Sequence, residues 1–210
     1  MSTRFVILRH GETQWNVESR IQGHTDSELT ALGRKQAEAL GKRMMRETFD
    51  VLVSSDLGRA YNTAGSVASR TGHPIVKDAR LRERSFGVAE GLTYGELDHQ
   101  YPDAFSRVRE TDPDFQIPGG ESRRQFQERV RAAFESLAAD HRGKRVVIVC
   151  HGGVLAALYR VMHGIAVGAP HPIPIANASF KAVAYDGVTW TTENWGDTGH
   201  LAADTLLEEA

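Results

Sequence analysis

Apolar residues fall into two kinds of pattern along this chain. Phe5-Val6-Ile7-Leu8, Val51-Leu52-Val53 and Val146-Val147-Ile148-Val149 are short unbroken runs bounded by charged or polar residues. That is the pattern of strands buried on both faces. Between them the spacing changes to a helical one. Thr30 is placed to cap a helix whose Leu32, Ala37, Leu40 and Met44 keep roughly to one face. Ala60, Thr63, Ala64, Val67 and Ala68 fall at i, i+3, i+4, i+7 and i+8, with Ser54-Ser55-Asp56 ahead of them as capping oxygens and Gly72 as the stop. Strands alternating with helices predict a parallel sheet.

The pattern breaks over residues 84 to 121, where the sequence is mixed and polar and Pro102, Pro113, Pro118, Gly119 and Gly120 interrupt it. We read this segment as an inserted lid with short helical pieces, one started by a capping box at Thr93 and Glu96. A second box, Ser122 with Gln125, starts a long helix striped by Phe126, Val130, Ala133, Phe134 and Leu137 and running up to Gly143. After the strand at 146–149 comes a helix carrying Leu155, Leu158 and Met162. A hairpin of Phe180–Tyr185 and Thr189–Glu193, turned at Asp186-Gly187, closes the chain. No repeat or linker interrupts residues 1–210. The expectation is one domain: an α/β protein, a three-layer α/β/α sandwich with a mostly parallel sheet and a lid insertion at about 84–121.

Composition narrows the classes. The 210 residues carry 25 basic and 27 acidic side chains, a formal net charge of −2, so no positive surplus favours nucleic acid. One cysteine, Cys150, excludes a disulfide framework and a cysteine zinc site. The apolar runs are far too short to span a bilayer, and the N-terminus lacks a signal-peptide pattern, so a cytoplasmic protein is expected.

The candidate chemistry sits at the strand ends. The first strand runs into Arg9-His10-Gly11, and the strand at 146–149 into Cys150-His151-Gly152-Gly153. Ligands of open parallel sheets bind just past the carboxyl ends of strands. We read the glycine after each histidine as letting backbone approach a ligand. One histidine at a strand end is most often structural; two in matching contexts point to function. Arg59, in the first turn of the helix after the second strand, opposes the positive end of that helix's dipole and makes sense if an anion sits there. Arg9, His10, Arg59 and His151 would form a small positive pocket in a near-neutral protein, which suits a phosphate.

These residues resemble a known signature. Arg9-His10-Gly11-Glu12-Thr13 with Trp15-Asn16 is similar to that of the histidine phosphatase superfamily, the phosphoglycerate mutase-like fold. Gln22-Gly23, Asp26 with Leu29-Thr30, Ser54-Ser55-Asp56-Leu57 with Arg59-Ala60, Leu81-Arg82-Glu83, Glu90-Gly91-Leu92, Gly119-Gly120-Glu121-Ser122 and His151-Gly152 follow in family order. The resemblance implies that His10 is the nucleophile and becomes a phosphohistidine. Arg9, Arg59 and His151 would clamp the phosphoryl oxygens. Asn16, Gln22, Gly23 and Gly152 would add phosphate contacts, and Glu83 would be the acid and then the base. It implies no metal, no cofactor, and a small phosphorylated metabolite as the partner; a homodimer is the assembly it suggests.

The physics agrees with those roles. Phosphoryl transfer asks for positioning and positive charge around the equatorial oxygens. A histidine nucleophile must be neutral, which neighbouring arginines favour. As acid, Glu83 must hold a proton near neutral pH, which desolvation or a nearby phosphate would assist. A cysteine phosphatase needs an arginine six residues after the cysteine, where Ala156 stands. No phosphate-loop motif occurs. His73 and His171 are scattered and form no ligand set, and acidic residues interrupt the Arg80, Arg82, Arg84 alternation. Within the family, the segment Arg84 to Thr93 and the run His151-Gly152-Gly153-Val154 resemble the phosphatase branch. A cofactor-dependent phosphoglycerate mutase is the alternative, and a non-catalytic phospho-ligand binding protein the second.

Overall fold

A computed structural model describes residues 1–109, 112–169 and 174–201. His171 and residues 110–111 of the expected lid lie outside the described residues. The elements in chain order are β1 (Thr3–Arg9), α1 (Gln14–Val17), α2 (Ala31–Met44), β2 (Val51–Ser54), α3 (Gly58–Thr71) and β3 (Ile75–Lys77). They continue with α4 (Tyr94–Gln100), α5 (Pro102–Arg109), α6 (Arg123–Asp140), β4 (Arg145–Cys150), α7 (Gly152–His163), β5 (Phe180–Tyr185) and β6 (Trp190–Asp197).

The six strands form one sheet in the order β3-β2-β4-β1-β5-β6. The first four neighbours are parallel, and β5 and β6 are antiparallel. Strand alternation sorts the apolar runs into two cores. Phe5, Ile7, Val146 and Ile148 face one side and meet Phe126, Val130 and Phe134 of α6 and Leu155 and Leu158 of α7. Val6, Leu8, Val147 and Val149 face the other and meet Leu40 and Met44 of α2 and Ala60, Ala64 and Val67 of α3. Unbroken apolar runs are therefore required: each residue in them contributes roughly 1.5–3 kcal/mol by burial on one face or the other. The three-layer α/β/α sandwich with a mostly parallel sheet is the observed fold.

Segment 84–121 builds a third, small core from Ala89, Leu97 and Ile117, with Ile21 of the loop after α1 packed into it. Backbone bonds tie that loop to the segment, Ile21 N–H to Leu92 O at 2.9 Å and Gly91 N–H to Ile21 O at 2.8 Å. Both expected capping boxes form, at Thr93 with Glu96 and at Ser122 with Gln125.

Some local expectations are corrected. Ser54-Ser55-Asp56 does not cap α3; its N-cap is Leu57, with no side-chain cap of its own. The side-chain acceptor comes from a distant loop, with the Asp26 carboxylate 3.3 Å from the Arg59 N–H. Leu32 is only half-buried; Gly33, Gln36 and Ala37 supply that part of the buried face of α2. Helix α6 ends at Asp140, and Gly143 instead turns the chain at φ +78 before β4. The last strand runs on to Asp197, past the expected Glu193, through register shifts opposite β5. Its half-exposed polar residues carry no alternation that would mark it.

Candidate active site

Parallel pairing of β1 with β4 sets Arg9 opposite Cys150. The next residue on each strand is a histidine, so the rings of His10 and His151 lie 5.3 Å apart. On the far side of β4, β2 pairs Ser54 with Val149 and brings Ser55 and the first turn of α3 to the same edge. The chain leaves β1 for β2 by passing over β4, which makes this edge the topological switch point.

His10 is 3% exposed and tightly held. Its N–H donates to Cys150 O at 3.0 Å, and its carbonyl accepts from Ala178 N–H and Asn177 Nδ2, both at 3.1 Å. Nδ1 lies 2.7 Å from Gly11 O. A carbonyl only accepts, so Nδ1 carries the proton and Nε2 keeps the lone pair. Burial, then the charges of Arg59 and Arg9, hold this imidazole well below the usual histidine range. The arrangement is a neutral, pre-aimed nitrogen base.

Gly11 does not line the pocket. A Cβ there would come 2.3 Å from Gly33 O, so its role is backbone packing of the loop against α2. Gly152 does line the pocket, beside the Arg9 guanidinium.

Arg59 is 2% exposed. Its Nη1 donates to Thr25 O at 3.1 Å and to Asp26 Oδ1 at 2.9 Å, and Nη2 donates to Gly23 O at 2.8 Å. Its Nε is buried with no partner. Asp26 thus holds both the side chain and the backbone N–H of Arg59. Gly23 reaches the site by fixing that guanidinium with its carbonyl. Arg9 donates to Ile175 O and lines the same pocket.

Asn16 ends a capping box for α1 that the sequence reading passed over. Its Oδ1 accepts from Thr13 N–H at 3.1 Å and Thr13 Oγ1 at 3.0 Å. That assignment turns the Nδ2 donor away from the cap, and Asn16 lines the pocket. Gln22 lines it too, with Oε1 buried and without a partner.

Glu83 follows a short 3₁₀ turn over Ala79–Leu81. It pairs with neither neighbouring arginine side chain. Arg82 is taken by Asp56 at 2.5 Å, and Arg84 Nε donates to Glu121 O at 2.9 Å. The Glu83 carboxylate accepts from Arg84 N–H and from Gly153 N–H, each at 2.8 Å. Gly153 is glycine for space: a Cβ would fall 2.0 Å from Glu83 Oε1. The sequence showed a Gly-Gly pair but not this contact. Gly153→Ala should displace the carboxylate and cut kcat/KM by about 10²-fold, as misplacement of a reacting group does. Stability should hold or rise, since alanine is the better helix former by about 1 kcal/mol. Thermal melting alongside kinetics checks both halves; unchanged kcat/KM would detach Glu83 from the chemistry.

His151 is fully buried, its Nε2 lies 2.8 Å from Ser55 Oγ, and its Nδ1 has no partner. Burial, then Arg59, His10 and Arg9, hold it well below the usual histidine range. The neighbouring Cys150 thiol is pushed up to about 12 by burial, so it is no nucleophile.

The cavity at this edge has a volume of about 340 Å³. Arg9, His10, Asn16, Gln22, Gly23, Arg59, Glu83 and Gly152 all line it; His151 stands behind, against the His10 ring. Trp15, Phe86 and Tyr94 add aromatic rings to its lining. Residues that sequence reasoning missed are Asp26, Ser55, Gly153 and Asn177. Asp26 and Ser55 lay within recognisable motifs, but their roles depend on contacts with distant segments. Among the described residues no cluster of histidine, cysteine and carboxylate side chains could hold a metal.

Paired histidines and flanking arginines at the switch point of a mostly parallel sheet define an α/β protein of the phosphoglycerate mutase-like fold. The chain belongs to the histidine phosphatase superfamily, branch 1 of which matches residues 5–198. It is 38% identical to phosphoglycerate mutase-like protein 4 of Arabidopsis thaliana over 207 residues, 97% of this chain and 89% of that one. It is 38% identical to a metal-independent phosphoserine phosphatase of the same plant over 210 residues, 98% of this chain and 86% of that one. A mycobacterial glucosyl-3-phosphoglycerate phosphatase, solved with VO3, superposes with a TM-score of 0.82 at 36% identity, covering 93% of this chain and 99% of that one.

Proposed function

We propose that this protein is a metal-independent phosphatase that hydrolyses small phosphate monoesters through a phosphohistidine. The observation that carries the reading is the neutral His10, its proton held at Nδ1 and its Nε2 free, beside Arg9 and Arg59 and across one cavity from the Glu83 carboxyl group. Nε2 attacks phosphorus, the P–O bond to the alcohol breaks, and protonated Glu83 gives its proton to the leaving oxygen. Water then attacks the phosphorus, Glu83 takes its proton, and the N–P bond breaks to release phosphate. Arg9, Arg59 Nε, Asn16 Nδ2 and the His151 Nδ1–H tautomer stabilise the equatorial oxygens. Ser55, by donating its hydroxyl proton to Nε2, selects that tautomer.

Residues 1–210 act as one domain, with 84–121 as the lid over the leaving group. No described helix is long and apolar enough to cross a membrane, and we assign the protein to the cytoplasm, acting on a small phosphorylated metabolite. In the basic alternation, Arg80 pairs with Asp78 and Arg82 with Asp56, in keeping with a reading without a nucleic-acid partner.

The test is phosphate release from a panel of monoesters after exhaustive chelation, with a mutase assay alongside. Activity should survive; loss with EDTA and recovery with Mg²⁺ would falsify the metal-free reading. Transfer of phosphate between hydroxyls without release would favour the mutase instead.

Arg59→Ala and Arg59→Lys should both lose on the order of 10²-fold or more in kcat/KM. Arg59 meets Gly23 O, Thr25 O and Asp26 with a planar fork that a lysine cannot reproduce. A lysine variant with near wild-type kinetics would reduce Arg59 to a source of bulk charge.

A further inference from the structure

The run Gly119-Gly120-Glu121-Ser122 takes no part in the chemistry above, yet it packs against the segment that carries Glu83. Glu121 N–H donates to Ser85 O at 2.9 Å, and Ser85 N–H donates back to Glu121 Oε2 at 2.9 Å. A Cβ on Gly120 would fall 2.6 Å from Ser85 O, so this approach requires glycine there. Arg84 Nε adds to the same contact by donating to Glu121 O at 2.9 Å.

Arg129, on α6, takes hold of the other side. Its Nε and Nη2 donate to Glu121 Oε1 and Oε2 at 2.8 and 2.7 Å. Nη1 donates to Arg80 O at 2.8 Å and to Arg82 O at 3.0 Å, and Nη2 donates to Glu83 O at 3.0 Å. All five N–H groups of the guanidinium are thus placed, two on one carboxylate and three on the backbone leading to Glu83. His24 Nε2 donates to Glu83 O as well, at 2.9 Å. The Glu83 carboxylate itself accepts from backbone N–H groups, those of Arg84 and Gly153. Its position is therefore set by the backbone on either side. Arg129 and Glu121 stand outside the lining of the active-site cavity and reach the reaction through the backbone they hold.

We propose that Arg129 and Glu121 are positioning residues for the general acid: the pair fixes the backbone from Arg80 to Ser85 and so sets the Glu83 carboxyl group at the leaving oxygen. This rests on the phosphatase reading, with Glu83 as the acid. A misplacement of about 1 Å costs on the order of 10²-fold in rate. The fold around the segment is secured separately, by the buried Leu81 and by the pair of Arg82 with Asp56. Loosening the grip of Arg129 therefore costs proton donation before it costs the fold.

The test reads single-turnover formation of the phosphoenzyme from an alkyl phosphate and from a nitrophenyl phosphate. It compares the wild type, Arg129→Gln, Glu83→Gln and the double variant. Arg129→Gln should slow the alkyl ester about 10- to 100-fold more than the nitrophenyl ester, because only the alkoxide needs the proton. A purely structural role would lower both rates together, and loss of folded protein leaves their ratio unchanged. With Glu83→Gln there is no proton to misplace, so adding Arg129→Gln should leave the ratio where Glu83→Gln alone puts it. Arg129→Lys keeps the charge but not the fork to Glu121, and should shift the ratio the same way by less. It carries the test if the glutamine variant does not fold. Equal slowing of both esters by the Arg129 variants, with Glu83→Gln itself selective, overturns the positioning role alone. So does a shift in ratio that adds in full to that of Glu83→Gln. Lack of selectivity in Glu83→Gln removes the acid and its positioning together. A wild type that forms no phosphoenzyme from either ester overturns the phosphatase reading as well.

Discussion

His10→Ala abolishes phosphoenzyme formation and lowers turnover by on the order of 10⁵-fold, the scale of removing a covalent nucleophile. The expectation follows from how completely the structure commits this side chain. Its proton is fixed at Nδ1 by Gly11 O, and its backbone is held by Cys150, Asn177 and Ala178. Among the described residues that line the cavity, His10 is the one histidine. His151 is near, but its Nε2 is engaged by Ser55. Brief exposure to labelled substrate followed by quenching should trap a phosphoramidate, stable in alkali and labile in acid. His151→Ala should still label, more slowly. Because burial and the two arginines keep His10 well below the usual histidine range, labelling of the wild type should not lose its nucleophile as pH falls through that range. A His10→Ala enzyme that labels at the wild-type rate would move the nucleophile elsewhere.

Glu83→Gln slows cleavage of alkyl esters by about 10²–10⁴-fold and of nitrophenyl esters far less. A departing alkoxide is strongly basic and needs the proton; a nitrophenolate leaves without it. Glutamine keeps the size of the side chain, and its amide oxygen can still accept the Gly153 N–H, so geometry is largely preserved while the transferable proton is lost. Since the proposed mechanism has the same carboxylate activate water afterwards, steady-state rates would mix two defects. Single-turnover formation of the phosphoenzyme separates them: formation should slow selectively for the alkyl ester, and breakdown should slow equally for both. Equal slowing of the two formation rates would leave Glu83 as an orienting carboxylate, held by Arg84 and Gly153 for structural reasons.

The parts of this protein that could be read from the chain alone are those whose cause is local. Phe5–Leu8 and Val146–Val149 announce buried parallel strands because both faces of each must be apolar, and the two cores confirm that demand residue by residue. The capping boxes at Thr93 and Ser122 are readable because donor and acceptor stand three residues apart. Strand ends followed by histidine mark the candidate site because the sheet's register carries them to one edge.

What lay beyond reach is whatever depends on two distant segments meeting. The cap of α3 comes from Asp26, 33 positions away from Arg59 in the chain, so the nearer Ser54-Ser55-Asp56 misled. Gly11 serves contact with Gly33, and Gly153 serves contact with Glu83, 70 positions earlier. Edge strand β3 escaped notice because its apolar part is only Ile75 and Val76, half-buried and exposed, too short a run to mark a strand. The sequence by itself determined the layers, the parallel centre and the candidate residues, since periodic burial and residue chemistry are written position by position. Only the tertiary structure decided which nitrogen of His10 is free and what holds Glu83. Tautomer and hydrogen-bond partner are properties of neighbours in space, and the chain order does not encode them locally.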